Sequence, residues 1–170
     1  MPAAVLIALI EREAGLSVLY TERATGLRAH SGQIAFPGGK IDGADAGPGA
    51  AAIREAGEEV GLNPGEADIL GYLPLYFTGT NYLITPVVAR VRPGVHFVPN
   101  PDEVAELFEV PLADLMDPGR YGTHVVTRNG VEHRTWRIEH ERFLIWGITA
   151  NLTRVFYEQA LCAGGADADA

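Results

Sequence analysis

The chain has 170 residues, with 13 Lys+Arg against 22 Asp+Glu and a formal net charge of −9. Apolar residues make up 47% and charged residues 21%, which excludes chain-wide disorder, and the length supports one domain with a real core and no disulfide staple. The acidic balance argues against gripping a nucleic-acid backbone by bulk charge, but not against a phosphorylated small molecule, because metal ions bridge carboxylates to phosphate.

Residues 1–10 are apolar without a basic leader or a small-residue cleavage site, so they read as a buried strand over 3–10 rather than a signal peptide. A turn at Ala14-Gly15 leads to a strand over 17–21, and residues 33–36 form a short strand stopped by Pro37-Gly38-Gly39. Residues 43–49 read as a loop and 50–60 as an Ala- and Glu-rich helix closed by Gly61. Strands follow over 69–77 and 82–91, where Pro86 predicts an edge or a bulge. A short strand covers 106–110. Asn129-Gly130 between 124–127 and 132–138 is a hairpin signal, and 146–161 is the second long helix. Two helices among seven or eight strands, not strictly alternating, predict an α/β fold with a mixed sheet sandwiched between helices. Residues 1–162 read as a single domain and 163–170, ending in GGADADA, as a disordered tail. No apolar run reaches the ~18 residues of a membrane span. The single Cys162 excludes an intrachain disulfide or a Cys-based zinc site and is expected as a small buried hydrophobe; a reduced, cytoplasmic setting fits.

The most informative segment is Arg54-Glu55-Ala56-Gly57-Glu58-Glu59-Val60-Gly61-Leu62. At about 100° per residue, Glu55, Glu58 and Glu59 share one helix face, and Ile53, Ala56 and Val60 lie on another that would pack on the sheet. Three carboxylates at this spacing repel one another and crowd the unfavourable end of the helix dipole. Arg54 can reach Glu58, but no lysine answers the other two. A solvated acidic face is the alternative to a site for a hard divalent cation. The neighbourhood decides for the site: Phe36-Pro37-Gly38-Gly39-Lys40 lies upstream, followed by Asp42 and Asp45. Such a turn lets backbone approach a ligand closely, with carbonyls free to face a metal.

Gly39, Asp45 and the stretch 54–62 together resemble the Nudix box. The usual box has a glycine, five residues, a glutamate, seven residues and then the Arg-Glu-x-x-Glu-Glu half. Here the acid is Asp45 and the loop is one residue longer. Leu19-Tyr20-Thr21-Glu22-Arg23-Ala24, Arg28, Gly32 and Phe36-Pro37-Gly38-Gly39 resemble the signature of the coenzyme A pyrophosphatase subfamily, with Tyr20 in place of a leucine. The aspartate and the longer loop also look like that subfamily. Residues 102–112 and 145–150 are similar too.

The resemblance implies the Nudix fold, a mixed β-sheet in an α/β/α sandwich. It implies hydrolysis of the pyrophosphate bond of coenzyme A or a derivative, giving 4′-phosphopantetheine and adenosine 3′,5′-bisphosphate. Mg²⁺ or Mn²⁺ would be held by Glu55, Glu58 and Glu59, with the Gly39 carbonyl as a fourth oxygen. The alternatives are hydrolysis of another nucleoside diphosphate derivative such as ADP-ribose, and a non-catalytic binding module. Such modules usually lose box glutamates; all three are present here. Arg54 is expected to orient a box glutamate. The general base is a box glutamate or a loop residue, with Glu103 and Glu141 as candidates and Glu139 weaker. Arg23, Arg28, His30 and Lys40 supply cationic groups for phosphates, beside the close approach at Gly38. Trp136 and Trp146 are expected in the core. Tyr76, Phe77 and Tyr82 either line an adenine or pantetheine pocket or, for at least two of them, pack in the core. The expected partner is a small molecule, neither nucleic acid nor membrane; the sequence leaves the oligomeric state open.

Overall fold

The aliphatic run at the start of the chain becomes β1 (Pro2–Arg12), which turns back into β2 (Gly15–Arg23). The structure is a computed structural model and describes residues 1–26, 32–128 and 130–166. They fall in two compact units, Met1–Leu112 and Ala113–Ala170. β1 is buried on both faces, with Ala4, Leu6, Ala8 and Ile10 on one and Ile7 and Leu9 on the other. A central strand with two covered faces needs no polar alternation, so the run reads as continuous.

β1 pairs antiparallel with β2 through residues 9–12 and parallel with β7 (Leu83–Val91) along its length. Beyond β7 lie β5 (Ala67–Tyr72) and β6 (Tyr76–Phe77), both antiparallel to it, and β8 (Val104–Pro111) runs antiparallel to β2 on the other side. The sheet is therefore mixed, as the sequence predicts.

β1 and β2 diverge away from their turn, and the segment after residue 32 enters the gap. Its first piece, β3 (Ile34–Ala35), pairs with β2, and β4 (Gly38–Lys40) pairs with β1 at Ala3–Val5. The Pro37-Gly38-Gly39 stop is thus a crossing from one strand to the other, and Gly38 and Gly39 are ladder residues rather than a turn.

α1 (Pro48–Val60) begins two residues before the predicted start, because Pro48 is well suited to the first helical position. It ends at Gly61, whose φ of 72 lets its N–H return to Gly57. Ala51, Ala52, Ile53, Ala56 and Val60 seat it on Ala4, Leu6, Ala8, Leu19, Val87 and Ala89. The three alanines permit a close approach of helix to sheet. On the opposite sheet face Tyr20 stacks between Phe36 and Phe108, with ring centroids 4.8 and 5.6 Å away, so the tyrosine in place of leucine fills an aromatic layer.

Pro86 lies on β7, an interior strand and not the expected edge. Its carbonyl accepts the N–H of Leu73 at 3.0 Å. The nitrogen of a strand residue faces the same side as its carbonyl, so the missing donor falls at the break between β5 and β6. The single strand predicted over 69–77 is interrupted there, and the β5–β7 register slips between Ile69 and Gly71.

The second unit contains the antiparallel sheet β9 (Tyr121–Arg128), β10 (Val131–His140) and β11 (Phe143–Trp146), with α3 (Gly147–Ala166) packed on β10 and β11. The short α2 (Leu112–Leu115) spans the boundary. The β9–β10 pairing closes at Arg128↔Val131, as the Asn129-Gly130 signal predicts. Trp146 ends a strand instead of opening the helix, and α3 continues into the segment expected as tail. Trp136 is 38% exposed and not a core residue. The Arg154 guanidinium lies over the rings of Tyr121, Trp136 and Tyr157 at 4.7–5.1 Å, which explains how a tryptophan is held at the surface. Cys162, expected buried, is exposed. Among the described residues no helix is long and apolar enough to cross a membrane.

Candidate active site

The wedge of β3 and β4 brings backbone against the C-terminal half of α1. Gly38 donates its N–H to Glu59 Oε2 at 3.0 Å. A Cβ on Gly38 would lie 2.4 Å from the Ala4 carbonyl oxygen, and one on Gly39 would lie 2.4 Å from Glu55 Cδ. Glycine at 38 thus lets β4 pass β1, and glycine at 39 leaves room for a carboxylate. Glu55 and Glu59 both face β4, while Glu58 turns outward with its side chain 54% exposed. The three glutamates are therefore not one uniform stripe: Glu59 is buried, Glu55 partly so, and Glu58 is wet.

Arg54 holds this group together. Its Nε and Nη2 meet the two oxygens of Asp45 at 3.0 and 3.1 Å, Nη1 meets Glu58 at 3.0 Å, and Nη2 reaches Glu55 at 3.0 Å and the Lys40 carbonyl at 3.1 Å. Asp45 is itself placed by a turn in which its carboxylate accepts the Asp42 N–H. The helix alone supplies one cation for Glu58; the fold extends that cation to Glu55 and adds Arg23 for Glu59, with Nη1 at 3.6 Å from Oε1.

Glu103 joins from the loop before β8. The Ala24 N–H bonds to its carbonyl, the Asn100 N–H bonds to the Glu59 carbonyl, and Asn100 Nδ2 lies 3.4 Å from Glu103 Oε1. The loop is thereby tied both to the end of β2 and to the last turn of α1, facing the glutamates. Sequence reasoning passed over Asn100. Its signal is weak, an asparagine in a Pro-Asn-Pro run that reads as an ordinary turn.

Burial pushes Glu59 up to about 7; the Gly38 N–H and Arg23 oppose the shift, and Glu103 and Glu55 add to it. Glu55 is raised, chiefly by burial, with Arg54 opposing. Asp45 is lowered by its hydrogen bonds from Arg54, and Arg54 is raised in turn. Crowded, desolvated carboxylates that resist ionisation are what a divalent cation relieves. The donor set is all oxygen, which suits Mg²⁺ or Mn²⁺. Among the described residues, however, no three Asp, Glu, His or Cys side chains stand close enough to hold an ion as placed. The carboxylates rest on arginines instead.

Arg28 and His30 fall outside the described residues. The Lys40 side chain is exposed on β4. Glu139 and Glu141 belong to the second unit, Glu141 in the β10–β11 turn with φ 51. Phe77 is 68% exposed and Tyr76 and Tyr82 are half-buried, so core packing of two of these three is not what the fold does. A groove of about 550 Å³ between Arg12, Leu19, residues 94–97 and residues 107–109 contains none of the predicted residues.

A NUDIX domain profile matches residues 1–129. The chain belongs to the Nudix hydrolase family. It is 43% identical over 152 residues to the uncharacterized Nudix hydrolase NudL of Citrobacter koseri, covering 89% of this chain and 79% of that one. It is 44% identical over 153 residues to NudL of Salmonella newport, with the same coverage. Among solved structures, RenU, a Nudix hydrolase from M. smegmatis, superposes with a TM-score of 0.57 at 30% identity, over 66% of this chain and 71% of that one. The NUDIX domain of Shewanella oneidensis NrtR, solved with ADP ribose, superposes with a TM-score of 0.51 at 18% identity, over 68% and 75%, and shares the fold alone. The mixed sheet with its few helices is the Nudix fold, and α1 with the residues before it carries the stretch that resembles the Nudix box. Nudix hydrolases generally work with divalent metal ions.

Proposed function

We propose that this Nudix hydrolase cleaves the pyrophosphate bond of coenzyme A or a derivative, releasing 4′-phosphopantetheine and adenosine 3′,5′-bisphosphate. The observation that carries the reading is the contact between Gly38 and Glu59 with Arg23 beside it. It joins the Phe36-Pro37-Gly38-Gly39 and Arg23 parts of the coenzyme A pyrophosphatase signature to the box glutamates, as one site.

Glu55, Glu58 and Glu59 would hold Mg²⁺ or Mn²⁺; the Gly39 carbonyl, expected as a fourth oxygen, belongs to the ladder pair with Ala4 and faces β1, because Leu6 and Ile41 fix the alternation on either side. Held there, such an ion would supply neutralisation of phosphate charge, polarisation of a phosphoryl oxygen and a lowered pKa for water. Arg54, fixed by Asp45, holds Glu55 and Glu58 in register. Arg23, Arg28 and Lys40 bind substrate phosphates; Gly38, expected to admit the ligand, admits β1 instead. Glu103 is the base, its carboxylate facing Glu59 and Glu55 and free to take a proton from the attacking water. Glu141 has no such support.

The test is mass analysis of products from coenzyme A, dephospho-coenzyme A and ADP-ribose with Mg²⁺ and with Mn²⁺. Coenzyme A should be turned over best and split between its two phosphates. Loss of the 3′-phosphate preference in Arg28→Ala or Arg23→Ala, by roughly ten- to hundred-fold in relative kcat/KM, should follow. A wild type that prefers ADP-ribose would overturn the coenzyme A assignment.

A further inference from the structure

Arg23 differs from Arg54 in how it is held. Arg54 makes hydrogen bonds of 3.0–3.1 Å to two carboxylates and a carbonyl. Arg23 meets Glu59 only by charge, at 3.6 Å, beyond hydrogen-bond reach. Its Nε is buried and finds no partner among the described residues. Such an orphan donor is rare in a native fold and calls for an explanation. The β2–β8 register also slips between Glu22 and Arg23, a bulge of the kind that re-aims a side chain beside a site.

Glu59 does not need this arginine to stay in place. Its Oε2 accepts the Gly38 N–H at 3.0 Å, and only Oε1 faces the guanidinium. One carboxylate oxygen is anchored by the fold and the other is held by a loosely bound cation. A planar guanidinium with unused donors suits a phosphoryl group, which it can take bidentately.

We propose that Arg23 is an exchangeable counter-charge. In the ligand-free protein it covers Glu59 Oε1; when a phosphoryl group of the ligand arrives, the guanidinium transfers to it and releases that oxygen to the divalent cation. Cation and anion then strengthen each other's binding through one side chain, although no residue need bridge them. The inference rests on the reading of Glu59 as a metal ligand and adds the coupling to it.

The experiment titrates Mn²⁺ into the full chain and reads free Mn²⁺ by electron paramagnetic resonance, with no substrate present. Arg23→Gln should tighten Mn²⁺ binding by about tenfold, within the range usual for coupled sites. Arg23→Met, a second neutral variant, should do the same if either variant folds poorly in a thermal melt. In a Glu59→Gln background, removal of Arg23 should change Mn²⁺ affinity by less than about twofold. Inorganic phosphate, corrected for its own Mn²⁺ complex, should tighten Mn²⁺ binding in the wild type and not in Arg23→Gln. Equal tightening in both backgrounds would show a diffuse charge effect and overturn the exchange, as would a phosphate effect that survives in Arg23→Gln. If Glu59→Gln alone leaves Mn²⁺ affinity unchanged, the ligand assignment of Glu59 falls as well.

Discussion

Two adjacent glycines offer a way to separate the site from the fold. In Gly39→Ala the new methyl would lie 2.4 Å from Glu55 Cδ and 2.5–2.6 Å from its oxygens. Comfortable contact for such atoms is about 3.5 Å, so the carboxylate must move by about 1 Å. The obstacle is the far end of a flexible side chain, and Glu55 can rotate away without moving β4. The stability cost should be small, within about 1 kcal/mol, while turnover should fall by about 10²-fold, as for other misplacements of this size. In Gly38→Ala the methyl would meet the Ala4 carbonyl oxygen at 2.4 Å and Val5 Cα at 2.7 Å. Both are backbone of the central strand and cannot step aside, so the wedge itself must open. That variant should lose several kcal/mol of stability, on the order of an overpacked core. The assay pairs urea melts of both variants with coenzyme A turnover at saturating Mg²⁺. Gly39→Ala with wild-type turnover would refute the argument that the glycine serves Glu55. So would Gly39→Ala destabilised as much as Gly38→Ala, which would mean that Glu55 is not free to yield.

Without metal, wild-type stability should depend on pH through Glu59, whose folded pKa is raised from the ordinary 4.5 to about 7. A raised carboxylate stabilises below its unfolded pKa and loses that contribution as pH climbs through the folded one, so stability should fall by up to about 3 kcal/mol between pH 5 and 8. Chemical denaturation across that window should show a steeper slope in wild type than in Glu59→Gln, where the raised Glu55 remains, and Mg²⁺ should flatten it. Asp45→Asn should lower stability in the same melts, since it breaks a charged pair of hydrogen bonds to Arg54, and should also lower kcat. Because the Asp45 carboxyl is held below its usual range, its contribution in wild type is present near neutrality and lost on acidification. Leu6→Ala, at a fully buried position of the central strand, should cost about 2–5 kcal/mol with no change in KM of the folded fraction.

The sequence by itself determined the helix over the box, the hydrophobic identity of β1, the turn at Asn129-Gly130 and the candidate carboxylates, because these are local facts. Periodicity, a proline at a helix start and a glycine at its end act within a few residues. Motif spacing likewise marks Gly39, Asp45 and residues 54–59 without reference to any contact. What only the tertiary structure decided was how these groups are paired. Helical geometry puts the three glutamates on one side but cannot say that Glu59 is buried and Glu58 wet, since that depends on where β4 crosses. The divergence of β1 and β2, with β4 inserted between them, is a non-local outcome of strand pairing, and from it follow the Gly38–Glu59 bond and the approach of Arg23. The reach of Arg54 to Asp45 depends on a loop closing over nine residues. Pro86 shows the same limit: its local chemistry called for a missing ladder bond, and only the break between β5 and β6 supplied a place for one inside the sheet.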